Sequence, residues 1–264
     1  MKTRNFELRL LTLRYILTLQ DIADKHSKLS IRISEVKVKQ IASLIGMMVL
    51  GMGFVPQANA QRPSDVGAWY QQFTTIGLDD HWSFHLENQY RAYDATDLEQ
   101  SLNRIGLNYY FPDLSLTVTQ GYGFIYTDRI VGPTSDDRVS IDEHRTYQQL
   151  MYKHDLGSWK ITHRGRFEER WFGDDVDLRT RYFIGGDLPL DGGGRMDPGT
   201  PYLSLSNELF TNLQGKAFDR DRVYGGVGYV LNESCRVQLG FLRQILPDVS
   251  ASQNFVTLSF YFNL

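Results

Sequence analysis

Residues 254–264 read N-F-V-T-L-S-F-Y-F-N-L. Val256, Leu258, Phe260, Phe262 and Leu264 fall at every second position, so an extended strand carries them on one face. Thr257, Ser259 and Asn263 lie on the other face with Phe255 and Tyr261. A strand that is apolar on one side to its last residue suits the seam of a closed transmembrane barrel, where every backbone group is paired and the outer face meets lipid. The same alternation would serve a soluble β-sandwich or a lipocalin-like barrel with its apolar face turned to a core.

Working back along the chain, the pattern repeats. In 159–171, Trp159, Ile161, Phe167 and Trp171 share a face with His163, Gly165 and Glu169, and Lys160, Thr162, Arg164, Arg166, Glu168 and Arg170 occupy the other. The charged face cannot point into lipid, where each Arg or Lys at mid-bilayer costs about 2–4 kcal/mol. Trp159 and Trp171 at the two ends fit aromatic girdles. Trp82, Phe84, Leu86 and Tyr90 oppose His85, Glu87, Gln89 and Arg91 in the same way.

Strand-like runs are expected at 68–77, 81–93, 98–111, 114–127, 141–153, 158–172, 178–187, 200–212, 220–231, 234–245 and 254–264. Tight turns at 78–80, 112–113, 156–157 and 232–233 alternate with longer polar connections at 93–97, 129–140, 173–177, 213–219 and 246–252. That asymmetry fits short turns on one side of a membrane and longer loops on the other. The connection 188–199 is long where the alternation wants a short one. Bacterial single-chain barrels have even strand numbers, so ten or twelve strands are expected rather than the eleven runs counted.

Alternation places Arg91, Arg104, Arg145, Arg164, Arg166 and Arg170 inward, and with them Arg179, Arg181, Arg222 and Arg236. Only Glu87, Glu168 and Glu208 accompany them among carboxylates, so a net-positive lumen is expected. Two readings stand: a polar channel favouring anions, because rings of Arg lower the barrier for negative solutes, or an interior stapled by Arg–Glu pairs and by Tyr, Gln and Asn hydrogen bonds. Ten to twelve strands lie between side-chain-filled and open barrels, so size does not decide. Gly121, Gly123, Gly226 and Gly228 recur on the lumen face, leaving room for long side chains from neighbouring strands.

Residues 1–60 differ from the rest. The apolar run 41–54 follows Lys37 and Lys39 and precedes Pro56 and Ala58-Asn59-Ala60, the pattern of an export signal cleaved after Ala60. Residues 1–35 are long for such a signal and suggest a misassigned start codon. The domain division is thus 1–60, extension and signal, and 61–264, barrel. Removing the nine basic and four acidic residues of 1–60 takes the formal charge from −3 to −8. So acidic a chain argues against nucleic-acid partners. The single cysteine, Cys235, excludes an intrachain disulfide and Cys-based metal clusters.

Other chemistries leave weak traces. Barrel enzymes acting on lipids need a His with a Ser near the interface; His163 is mid-strand and outward, with His81, His85, His144 and His154 elsewhere, and none has a Ser at a forcing spacing. A lipid hydrolase or acyltransferase is therefore a minor alternative, and a non-enzymatic barrel the main expectation. Acidic groups at 174–177, at 136–137 with 142–143, and at 219–221 offer hard oxygen ligands for Ca²⁺ or Mg²⁺, including ions bridging lipopolysaccharide phosphates. None has the spacing of a calcium loop, so solvated loops are the simpler reading. No cofactor fingerprint is present, and no cofactor is expected.

The terminal strand resembles the one by which bacterial outer-membrane proteins are recognised for insertion, with Leu264 where that pattern ends in Phe. Trp69, the hairpin from Trp82 to Arg91, Phe167-Glu168-Glu169-Arg170-Trp171, Arg179-Thr180-Arg181-Tyr182, Asn207-Glu208-Leu209-Phe210 and 221–229 together resemble DUF2490, a family of predicted outer-membrane proteins of unknown function. The resemblance implies an outer-membrane β-barrel and says nothing about chemistry. The expectation is an all-β, antiparallel, up-and-down transmembrane barrel of about 10–12 strands. Its expected partners are outer-membrane lipids, lipopolysaccharide and the barrel-assembly machinery.

Overall fold

The computed structural model describes residues 66–131, 137–248 and 251–264. The expected export segment 1–60 and Asp136 of the acidic stretch lie outside the described residues. Eleven strands occupy most of the rest: β1 Val66–Gly77, β2 Trp82–Ala92, β3 Leu98–Phe111, β4 Leu116–Ile130, β5 Arg138–Leu156 and β6 Trp159–Phe172. Then come β7 Asp175–Pro189, β8 Pro201–Asn212, β9 Phe218–Asn232, β10 Cys235–Ile245 and β11 Gln253–Asn263. Each overlaps an alternating run read from the sequence. A 3-10 turn, Pro112–Leu114, lies between β3 and β4.

The strands form one closed barrel in chain order, each antiparallel to the next, with β1 against β11 at the seam. The expectation of ten or twelve strands is corrected here: eleven strands close. An odd number of hairpin-linked strands leaves the first and last running the same way, and the seam is parallel, from Val66 opposite Asn254 to Thr75 opposite Asn263. A parallel ladder satisfies the edge N–H and C=O groups as fully as an antiparallel one, only slightly less favourably per residue. The Gly77 N–H donates to Leu264 O at 2.8 Å and the Leu264 N–H to Thr75 O at 2.9 Å, so pairing runs to the final residue.

One rim, the turn rim, carries the connections 78–81, 112–115, 157–158, 190–200 and 233–234 and the end of β11; the opposite loop rim carries the other five and the start of β1. Asp79 shapes the first turn by accepting the Trp82 and His81 N–H groups on Oδ1, at 2.7 and 2.8 Å. Those bonds hold its carboxyl below the usual range, Trp82 contributing most. The expected longer connection at 173–177 is also corrected: β7 begins at Asp175 and the turn is Gly173-Asp174, with Gly173 at φ 63°. Only glycine takes that left-handed conformation without strain.

The barrel is polar inside and apolar outside. Phe84, Ile105, Leu107, Val118, Leu150, Ile184, Leu205, Val227, Leu239 and Val256 are exposed around the outer wall, whereas Glu87, Arg104, Arg145, Glu168 and Arg181 are buried. Polar residues on the outer wall bond across strands: Asn88 donates to Asn103 at 2.6 Å, Gln148 to Gln120 at 3.0 Å and Thr146 to Glu169 at 2.9 Å. Within the lumen, an apolar cluster of Trp69, Leu242 and Phe255, with Tyr224 against it, lines the wall near the seam.

Gly121 and Gly228 accommodate buried rings. A Cβ at Gly121 would collide with Tyr147, and one at Gly228 with Tyr202, and both rings are 0% exposed with nowhere to swing. Gly121→Val is expected to destabilise the barrel by about 1–3 kcal/mol through overpacking. Gly165→Ala, at a position with open space around it, should cost nothing measurable. Thermal loss of the β-sheet circular dichroism signal separates the two.

Candidate functional site

Because successive residues alternate across the wall, β6 sends Arg164, Arg166, Glu168 and Arg170 inward and β7 sends Asp177, Arg179, Arg181 and Phe183, so the two strands bring a dense charge ladder to one side of the lumen. Glu168 is its hub, 0% exposed. Arg179 donates to its Oε2 through Nη2 and Nε at 2.6 and 3.0 Å, a forked grip that fits the planar guanidinium. Arg181 and Arg145 donate to Oε1 at 2.9 and 3.3 Å, and Arg166 stands 3.6 Å away. Glu208 likewise takes Arg164 and Arg181, each at 2.7 Å, with Arg222 at 3.8 Å. Glu87 pairs with Arg104 at 2.7 Å. Amides satisfy part of the remainder: Arg166 donates to Gln149 at 2.7 Å and Arg222 to Gln244 at 2.9 Å.

The expected scarcity of inward carboxylates is corrected. Glu143 accepts from Arg145 and, at 2.9 Å, from Arg170; Asp177 accepts from Arg170 at 2.8 Å and Asp187 from Arg236 at 3.0 Å. All three lie an even number of residues from an inward Arg, at 145, 179 and 181, so the alternation that placed the arginines also marks them. Glu99 and Asp219 are different. The β2–β3 register passes from Arg91 opposite Gln100 to Ala92 opposite Leu98, leaving Glu99 unpaired, and the β8–β9 register skips Asp219 in the same way. A bulge re-aims the extra side chain. Glu99 comes within 3.8 Å of Arg91, and Asp219 accepts from Arg179 at 2.9 Å. No alternation pattern marks them. The acidic stretches that suggested cation sites thus give Glu143, Asp177 and Asp219 to arginines, and no group of three or more candidate ligands that could hold a metal occurs among the described residues.

Around the circumference at this level nearly every inward side chain is buried: Trp69, Arg91, Leu102, Ile125, Tyr147, Glu168, Arg179, Phe210, Gln244 and Phe255. Guanidiniums lie on the rings, Arg91 3.9 Å from the Trp69 centroid, Arg181 4.4 Å from Phe210 and Arg166 4.5 Å from Tyr147. Together they form a buried layer in the lumen, here termed the septum. Between it and the turn rim lies a cavity of about 370 Å³, a cup whose base is Glu87, Arg104, Arg166, Arg181 and Glu208 and whose walls include Lys153, Lys160, Arg164, Arg236, Phe73 and Tyr261.

The terminal strand turns Val256 and Phe260 outward and exposed, with Leu258 half-buried between them. Phe262 lies parallel to Phe260, 6.4 Å between centroids, and borders the cup at the turn rim, while Leu264 enters the seam through its backbone. Among the histidines, His163 bonds Tyr182 Oη at 2.8 Å and His154 Nε2 at 3.2 Å, and His144 bonds Tyr122 Oη at 2.6 Å. At the loop rim, Asp94 is held below the usual carboxyl range by the N–H groups of Asp97 and Thr96.

Comparison with protein families matches residues 66–255 to DUF2490, described as a protein of unknown function. Comparison with curated proteins returns no match.

Removing the charge of Glu168 leaves the surrounding guanidiniums uncompensated in a buried layer. Glu168→Gln is expected to destabilise the barrel by about 3–5 kcal/mol. Asp155→Asn, which breaks the exposed pair with Lys160 at the rim, should cost no more than about 1 kcal/mol. Urea unfolding followed by tryptophan fluorescence measures both.

Proposed function

We propose, from the premise that this chain belongs to the DUF2490 family, that it is a bacterial outer-membrane β-barrel whose lumen is sealed by its arginine–carboxylate septum, a membrane-embedded structural barrel and not a conducting pore. Its environment is lipid on the outer wall, and the barrel-assembly machinery inserts it through the β11 strand.

Two features support the membrane reading. The outer wall is apolar around its circumference, and its polar side chains at 88, 103, 120, 146, 148 and 169 bond to cross-strand neighbours, as a water-free surrounding demands. The closed ladder leaves no unpaired strand edge, which only a barrel or a helix achieves in lipid. The observation that carries the sealed reading is the burial of the septum: Glu168 and Tyr147 are 0% exposed, and Glu87, Glu168 and Glu208 each lie within ion-pair distance of an arginine. An anion-favouring pore is the second reading, because guanidiniums outnumber carboxylates there: Glu168 is shared by four and Glu208 by three.

The expected result in a planar lipid bilayer is no current steps at any applied voltage; anion-selective steps diminished by Arg166→Glu would establish the second reading instead. Phe260→Asp puts a charge on the outward face of the seam strand, and heat-modifiable protein in the membrane fraction should fall at least severalfold. Recovery of wild-type protein in the soluble periplasm would replace the membrane reading with that of a soluble binding barrel.

A further inference from the structure

We infer that the cup below the septum is a binding site for a small organic anion whose carboxylate sits on a ring, entering from the turn rim. The inference rests on the sealed lumen proposed above, which makes the cavity blind instead of a passage.

Three observations carry it. The first is unspent positive charge. Lys160 is neutralised by Asp155 at 2.7 Å and Arg236 by Asp187 at 3.0 Å, but the Lys153 ammonium makes no ion pair among the described residues. Arg164 shares its carboxylate, Glu208, with Arg181 and Arg222. An anion entering the cup would meet the solvent-accessible Lys153 ammonium and then Arg164, whose one carboxylate is divided among three guanidiniums.

The second is the character of the walls. Phe73 and Tyr261 stack with centroids 5.0 Å apart and planes 13° from parallel. Cations are interleaved with such rings, Arg236 4.4 Å from the Tyr261 centroid and Arg164 4.7 Å from that of Phe183. A bare inorganic anion would use the cations and leave the aromatic surface idle. A carboxylate on a flat or puckered ring uses both, the ring packing against this aromatic wall and the charge reaching Lys153 and Arg164.

The third is size and access. A volume of about 370 Å³ lies in the range of small-molecule sites. A second recess at the turn rim shares Thr75, Lys153 and Lys160 with the cup, so it opens outward past the unpaired lysine.

The test is calorimetric titration of the detergent-folded full-length protein with benzoate and with glucuronate, an aromatic and a sugar-ring carboxylate, against their neutral counterparts benzamide and glucose. Saturable binding of at least one carboxylate is expected, at least tenfold tighter than its neutral counterpart. Lys153→Gln should weaken it at least fivefold with an unchanged thermal unfolding midpoint, and Lys216→Gln, in a loop at the opposite rim, should leave it unaltered. Which carboxylate binds identifies the ring class. No saturable heat with either carboxylate in folded protein, equal binding of the neutral counterparts, or wild-type affinity in Lys153→Gln would overturn the inference. Bilayer conductance on the same preparation keeps the two readings separate: current together with Lys153-dependent binding refutes the sealed lumen and leaves the anion site standing, whereas silence without binding does the reverse.

Discussion

Everything in this fold depends on closing the backbone hydrogen-bond ladder. Ten paired positions join β1 to β11 in parallel, and two further bonds tie Leu264 to Gly77 and Thr75. Once the ladder is closed, each strand has one face to the lumen and one to the outside, and the pleat leaves no third choice. The odd strand count follows from the same constraint. It also puts Val66 at the loop rim and Leu264 at the turn rim, a separation of the two strand ends that an even-stranded barrel does not have.

Within that frame the interior resolves its electrostatics by sharing. Burying a guanidinium is costly unless a carboxylate meets it with good geometry, and here carboxylates are the scarcer partner. The barrel distributes them: Glu168 sits where four arginines converge, Glu143 bridges Arg145 and Arg170, and bulges in two ladders supply Glu99 and Asp219. Glutamines and aromatic faces take the donors that remain, through Gln149, Gln244, Tyr147 and Phe210. The buried layer thus has its guanidiniums shared among a few carboxylates, whereas toward the turn rim the Lys153 ammonium makes no ion pair among the described residues.

The aromatic residues divide between two jobs. Trp82, Tyr109 and Phe111 pack edge to face at the turn rim on the outer wall, with centroids 4.8 and 4.6 Å apart. Trp69, Phe255 and Tyr147 are turned inward and hold cations over their faces or, at Trp69 and Phe255, meet edge to face at 5.5 Å. Strand parity decides which job a ring performs, and residue type does not.

Sequence alone determined the strands and their faces, because a period of two is written locally: Trp159 and Ile161 against Arg164 and Arg166, or Val256 and Phe260 against Thr257 and Ser259, can be read without knowing any neighbour. The thirteen lumen positions named from alternation, Glu87 to Arg236, follow from that period, and so do Glu143, Asp177 and Asp187, which the same rule marks. Tertiary structure decided what the period cannot carry. Pairing of the first strand with the last, in parallel, depends on how many strands close the ring, and no single strand encodes that count. The inward turn of Glu99 and Asp219 depends on a ladder skipping one residue, which breaks the period at the very place it would be read. The convergence of Arg145, Arg166, Arg179 and Arg181 on Glu168 is a matter of register between three strands, set only when the closed ladder brings residues distant in sequence to the same height in the lumen.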